Sequence, residues 1–168
     1  MRARCAYAAM YGHLEALKWA REHDDCPWDA RTCACAARAG HLEVLKWARE
    51  QGCPWDEGTC AYAAGGGHLE VLQWARENHC PWDELTCAYA ADGGHLEVLM
   101  WARAQGCEWD GRTIDAAQDS GCADTIKYVW ANGCPSVYLH DIDSGDEDYS
   151  DDDEMIFVPA KKQKTRYE

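Results

Sequence analysis

Apolar and polar positions alternate in two rhythms along this chain. Leu69, Leu72 and Ala75 stand three apart, with Val71 and Trp74 beside them and Glu70, Gln73 and Arg76 between. That is the stripe of a helix with one packed face. A shorter Ala-rich run, Thr59-Cys60-Ala61-Tyr62-Ala63-Ala64, comes before it, and Gly65-Gly66-Gly67 separates the two as a helix stop and turn. Asp56 with Glu57 behind it, or Thr59, offers an oxygen to cap the first turn. Pro81, after Asn78-His79-Cys80, ends the second helix. The pattern predicts a helix–turn–helix of roughly 8–10 and 10–11 residues with a short proline-bearing link. No period-two alternation persists over residues 1–138, so the expected class is all-α.

The unit is written four and a half times. Gly-His-Leu-Glu begins at Gly12, Gly40, Gly67 and Gly94, with a degraded Gly-Cys-Ala-Asp at Gly121. The link cysteines Cys26, Cys53, Cys80, Cys107 and Cys134 recur every 27 residues. The one 28-residue step, Gly12 to Gly40, comes from an extra residue in Glu22-His23-Asp24-Asp25. One such unit cannot bury its apolar face alone, so the period predicts a solenoid of about five stacked helix–turn–helix units, of either hand. The array is expected over residues 1–139, and a disordered tail over 140–168. The last unit reads as a cap, because Asp115, Gln118 and Lys127 add polarity to it. No polar segment precedes Cys5-Ala6-Tyr7, so the array is expected to continue upstream, or its first helix to fray or dock elsewhere.

Charge narrows the partners. The formal net charge is -14; residues 141–154 hold nine acidic side chains and no basic one, and 161–166 four basic and no acidic. Net acidity argues against phosphate neutralisation, so no nucleic acid is expected. No signal-peptide or membrane-length apolar run is present, which predicts no membrane association and a reducing, cytoplasmic setting with cysteines as thiols.

The unit Thr-x-x-x-Ala-Ala-x-x-Gly-His-Leu-Glu-Val-Leu-x-Trp-Ala resembles the ankyrin repeat. It looks most like the short 27-residue variants of protist and giant-virus arrays, with their Gly-Cys-Pro-Trp-Asp links. The resemblance covers residues 1 to about 138. Two departures stand out: Thr-Cys-Ala-Tyr (Thr59–Tyr62, Thr86–Tyr89) replaces Thr-Pro-Leu-His, and the shorter unit is expected to lose the protruding β-hairpin finger. The resemblance implies a protein-interaction scaffold and a backbone-bonding role for the repeated histidines His13, His41, His68 and His95.

Candidate chemistry is thin. Cys26/Cys33, Cys53/Cys60 and Cys80/Cys87 stand seven apart, but no Cys-x2-Cys occurs, so packing outweighs zinc and no metal or cofactor is expected. Trp19, Trp47, Trp74 and Trp101 form one column, with Trp130 two positions out of register; Trp28, Trp55, Trp82 and Trp109 form another in the links. The first reads as core between units, and the second as structural with some indoles edging a groove. No phosphate loop, nucleophile–base set or His-Glu-x-x-His is present, so no enzyme is expected.

Specificity is expected where the units differ. Among those positions Tyr11, Arg31, Arg38, Leu85 and Arg112 are the candidate partner contacts, since Tyr and Arg dominate binding hot spots. In the tail, Ser144 and Ser150 each precede an acidic residue by three, an acidophilic-kinase pattern, and Lys161, Lys162 and Lys164 resemble a nuclear-import run. The expected function is a monomeric, non-enzymatic scaffold holding one protein partner on its concave face. The alternative is an acidic-tail, charge-based binder or chaperone of basic proteins, with the solenoid as a handle.

Overall fold

The computed structural model describes residues 4–23 and 26–135. Ser144, Ser150, Lys161, Lys162, Lys164 and the whole segment 140–168 lie outside the described residues. Among those described there are ten helices and no strand. In chain order they are α1 (Arg4–Met10), α2 (Leu14–His23), α3 (Ala30–Arg38), α4 (Leu42–Glu50), α5 (Glu57–Gly65), α6 (Leu69–Glu77), α7 (Glu84–Asp92), α8 (Leu96–Ala104), α9 (Gly111–Ser120) and α10 (Ala123–Ala131). Each odd–even pair is one unit, and the links run straight from one unit into the next.

The N-cap of α3, α5, α7 and α9 is the link aspartate, although the Asp56 side chain makes no capping bond. Asp29, Asp83 and Asp110 accept the N–H of Arg31, Leu85 and Arg112 at 3.0, 3.1 and 3.0 Å. The threonine alternative does not hold: Thr59 and Thr86 are fully buried in the first turn, with no partner for either hydroxyl. First helices are built of small residues, and Ala36, Ala37, Ala63, Ala64, Ala90 and Ala91 are all completely buried. Small side chains let helices approach closely, so α1, α3, α5, α7 and α9 pack on one another in an unbroken row. Second helices carry the bulk. Leu17, Leu45, Leu72 and Leu99 are fully buried beneath them, each worth about 2 kcal/mol of apolar burial. The second helices lean on their own unit and touch one another only lightly. The first helices thus form a tight inner row and the second helices a spread outer row.

The repeated histidines lock the units at the turns. Gly67 has φ +75°, and a Cβ there would sit 2.7 Å from the His95 ring, so both the backbone and the next unit require glycine. The His41 and His68 rings cover Gly12 and Gly40 in the same way. His41 Nε2 also pairs with the Met10 carbonyl at 3.1 Å, across the unit boundary. Cys122 takes the histidine position in the last unit and lies 3.4 Å from a Cβ built at Gly94.

Candidate interaction surface

The inner row turns one side of each first helix to solvent, and three units carry a tyrosine there, Tyr7, Tyr62 and Tyr89. Tyr62 on α5 and Tyr89 on α7 lie with ring centroids 5.6 Å apart. The Arg38 guanidinium, at the end of α3, stands 5.8 Å from the Tyr62 ring centroid, a cation–π contact. Gly65 carries no side chain, so the groove between α5 and α7 stays open: a Cβ on Gly65 would touch the Tyr89 Cβ at 3.3 Å. Arg38, Tyr62, Gly65, Tyr89 and Asp92 line a hollow of about 280 Å³. A second hollow of about 340 Å³ continues from Tyr89 and Asp92 to Leu85, Ala88, Arg112, Asp115, Ala116 and Asp119. The strip therefore runs from a cation on α3, over a tyrosine floor, to carboxylates on α7 and α9.

Arg112 is fixed in place. Its Nε and Nη2 donate to Asp110 Oδ2 and Glu84 Oε1, each at 2.8 Å, which ties α9 to the unit before it. Arg31 donates to its own cap, Asp29, from Nε and Nη2 at 3.1 and 2.9 Å. The structure thus brings together three of the five candidate contacts, Arg38, Leu85 and Arg112. Arg31 lies at the other end of α3 from Arg38 and lines neither hollow. Tyr11, 61% exposed after α1, stacks with its ring 6.2 Å from His13 and also lines neither. Sequence reasoning missed Tyr62 and Tyr89, which repeat and so read as framework. The available signal was that their position holds Tyr7, Cys35, Tyr62, Tyr89 and Ala116 in successive units, a variation no buried site would tolerate.

The link side is different. Arg21, Arg49, Arg76 and Arg103 lie 4.1–4.3 Å above the rings of Trp28, Trp55, Trp82 and Trp109. Each also donates Nη1 to the carbonyl of the link cysteine, at 2.8 Å from Arg21 to Cys26, with Arg49–Cys53, Arg76–Cys80 and Arg103–Cys107 alike. Each link indole meets the next unit edge-on: Trp28 with Trp47 and Trp55 with Trp74 at 5.8 Å, Trp82 with Trp101 at 6.1 Å. In the last unit Tyr128, not Trp130, takes this place against Trp109. Trp47, Trp74, Trp101 and the link indoles are structural, whereas Trp19 is exposed and stacks on His23. The link indoles also edge grooves, one of about 510 Å³ lined by Gln73, Arg76, Glu77, Trp82, Trp101 and Gln105. In each of the first four units the arginine and the link indole are committed to one another in the same way.

The cysteines pair in a register the seven-residue spacing did not reveal. Cys33 and Cys53 face each other side chain to side chain, as do Cys60 with Cys80 and Cys87 with Cys107. Cys5 and Cys26, at the same two positions of the first unit, are joined as a disulfide with Cα atoms 6.4 Å apart. The expectation of thiols throughout is corrected at that pair. Among the described residues no three His, Cys, Asp or Glu side chains are placed to hold a metal ion, and no helix is long and apolar enough to cross a membrane.

No curated protein matches the sequence. Residues 5–49, covering most of the first two helix pairs, match the family model described as ankyrin repeats (many copies), which is consistent with an ankyrin-like array.

Proposed function

We propose that this chain is a non-enzymatic scaffold that holds one protein partner along the inner face of its repeats. Ankyrin repeats are in general protein-interaction modules, and the supporting observation here is the Arg38–Tyr62–Tyr89–Asp92 strip. It joins exposed aromatic area to charges of both signs on a rigid row of helices, the makings of a hot spot. The grooves of the link side do not compete, since every arginine there already stacks on an indole and donates to a carbonyl. Arg38, Leu85 and Arg112 are the assigned contacts together with Tyr62 and Tyr89; Tyr11 and Arg31 flank them.

Affinity capture with the full chain, a version ending at Leu139 and a Tyr62→Ala/Tyr89→Ala variant tests this. A partner kept by the shortened chain and weakened about tenfold or more by the tyrosine changes supports inner-face recognition. A partner lost on shortening, indifferent to the tyrosines and released steeply by salt, moves recognition to the acidic tail and defeats the reading.

A further inference from the structure

Cysteine recurs at two fixed positions of each of the first four units, one on the first helix and one in the link that closes the unit. In the first unit the two sulfurs are bonded, Cys5 to Cys26. Cys33/Cys53, Cys60/Cys80 and Cys87/Cys107 occupy the same two positions with side chains already in contact, and all six residues are buried at 0–1% exposure. The link thiols are also aimed, since Cys53, Cys80 and Cys107 donate Sγ–H to the carbonyls of Asp29, Asp56 and Asp83 at 3.5, 3.5 and 3.3 Å. Each contact joins the start of a unit to its end.

Packing alone does not require two sulfurs at this place. In the fifth unit Ile114 stands where the others have the first cysteine, and it is 2% exposed opposite the surviving Cys134. A branched aliphatic side chain therefore fills the position. We propose that Cys33–Cys53, Cys60–Cys80 and Cys87–Cys107 are sites of disulfide formation, so that the array carries one covalent staple per unit in its first four units and none in the fifth.

The oxidant is a small-molecule disulfide such as oxidised glutathione, and the step is thiol–disulfide exchange. Either member of a pair can attack first, since the Arg49 charge favours thiolate at both Cys53 and Cys33. Where Cys53 leads, its thiolate attacks one oxidant sulfur, the oxidant S–S bond breaks, and one thiolate leaves, taking up the proton that Cys33 gives up. The Cys33 sulfur then attacks Cys53 Sγ and expels the second half of the oxidant, which takes up the proton that Cys53 lost on ionising. One external disulfide becomes two thiols, and two protein thiols become one disulfide. The Arg103 charge acts in the same way on Cys107 and Cys87.

The full chain, reduced and unfolded, is refolded in a buffer of reduced and oxidised glutathione, alkylated, and mapped by mass spectrometry of its peptides. The expected result is a loss of two hydrogen atoms for each of four pairs, linked as named, with Cys35, Cys122 and Cys134 alkylated. If the three pairs remain alkylated where Cys5–Cys26 has formed, or bond out of register, the proposal falls. Ile114→Cys supplies the missing partner of Cys134 and is expected to add a fifth bridge. Failure of that bridge to form would show that the position does not direct pairing. Cys33→Ser is expected to free Cys53 for alkylation and leave the other bridges intact; rearranged bridges would count against the proposal.

Discussion

Cys122 shows how one substitution within a repeat changes the chemistry of a position. Where earlier units place a histidine over the preceding turn, this thiol heads α10, and the Thr125 hydroxyl and backbone N–H, then the Asp124 N–H, favour its thiolate. Its pKa lies below the ordinary thiol value, so thiolate survives to lower pH than in a free cysteine. Cys35 is the converse, pushed up chiefly by burial. Iodoacetamide at neutral pH should label Cys122 roughly tenfold faster than Cys35. Equal rates would rule out the difference in ionisation. Residue-level legibility was uneven: Arg38 and Arg112 stood out as variable cations, whereas Tyr62 was hidden by its own repetition. The cysteine partners, 20 residues apart, could not be read from spacing along the chain, because only the folded pair brings the first helix back against the link.

At the level of elements, the helices follow directly from the pattern. The leucines at spacing three, the link aspartates and the turn glycines each act locally, and observed helices such as α5 and α6 are nine residues long, at or just under the expected lengths. At α5 the cap position falls to Asp56, the first of the two groups the sequence offered, and burial sets Thr59 apart. The ends of the second helices contain one unforced irregularity. Gly52, Gly106 and Gly133 close α4, α8 and α10 with φ between 69° and 84°, and His79 closes α6 at φ 64°. No neighbouring atom approaches a Cβ built on Gly52 or Gly106, so the penalty at His79 is backbone strain alone. His79→Gly is therefore expected to stabilise the protein by about 0.5–1 kcal/mol, read from chemical denaturation. A loss of stability would mean that the imidazole makes a contact worth more than the strain.

Across the whole molecule, stability is a sum over neighbours, so position in the array matters more than sequence identity between units. The first unit leaves Tyr7, Met10, Tyr11 and Trp19 all exposed. It is also the unit held by Cys5–Cys26, a closure worth about 3 kcal/mol by the loop-entropy argument. Hydrogen exchange should show α5–α8 as the most protected segment, and Cys5→Ser should lower protection in α1–α2 while leaving α5–α8 unchanged. Uniform loss would indicate that the array opens as a single block. This scale was legible from the period, which announces stacking before any helix is placed. The contrast between a tight and a spread row was not, because it depends on how the alanine-rich and tryptophan-bearing helices meet their neighbours.

The link indoles have a consequence for anyone watching this protein by light. Trp28–Trp47, Trp55–Trp74 and Trp82–Trp101 repeat one edge-to-face geometry, with interplanar angles of 65°, 67° and 68°. Electronic transitions held at a fixed angle and short range couple, and identical copies add their rotational strength with the same sign. The far-ultraviolet circular dichroism of this chain should therefore carry an exciton couplet on top of its helical bands. Because each pair spans a boundary between units, that couplet reports the seams of the stack, and its loss ahead of the helical signal would time the parting of neighbours separately from the melting of helices.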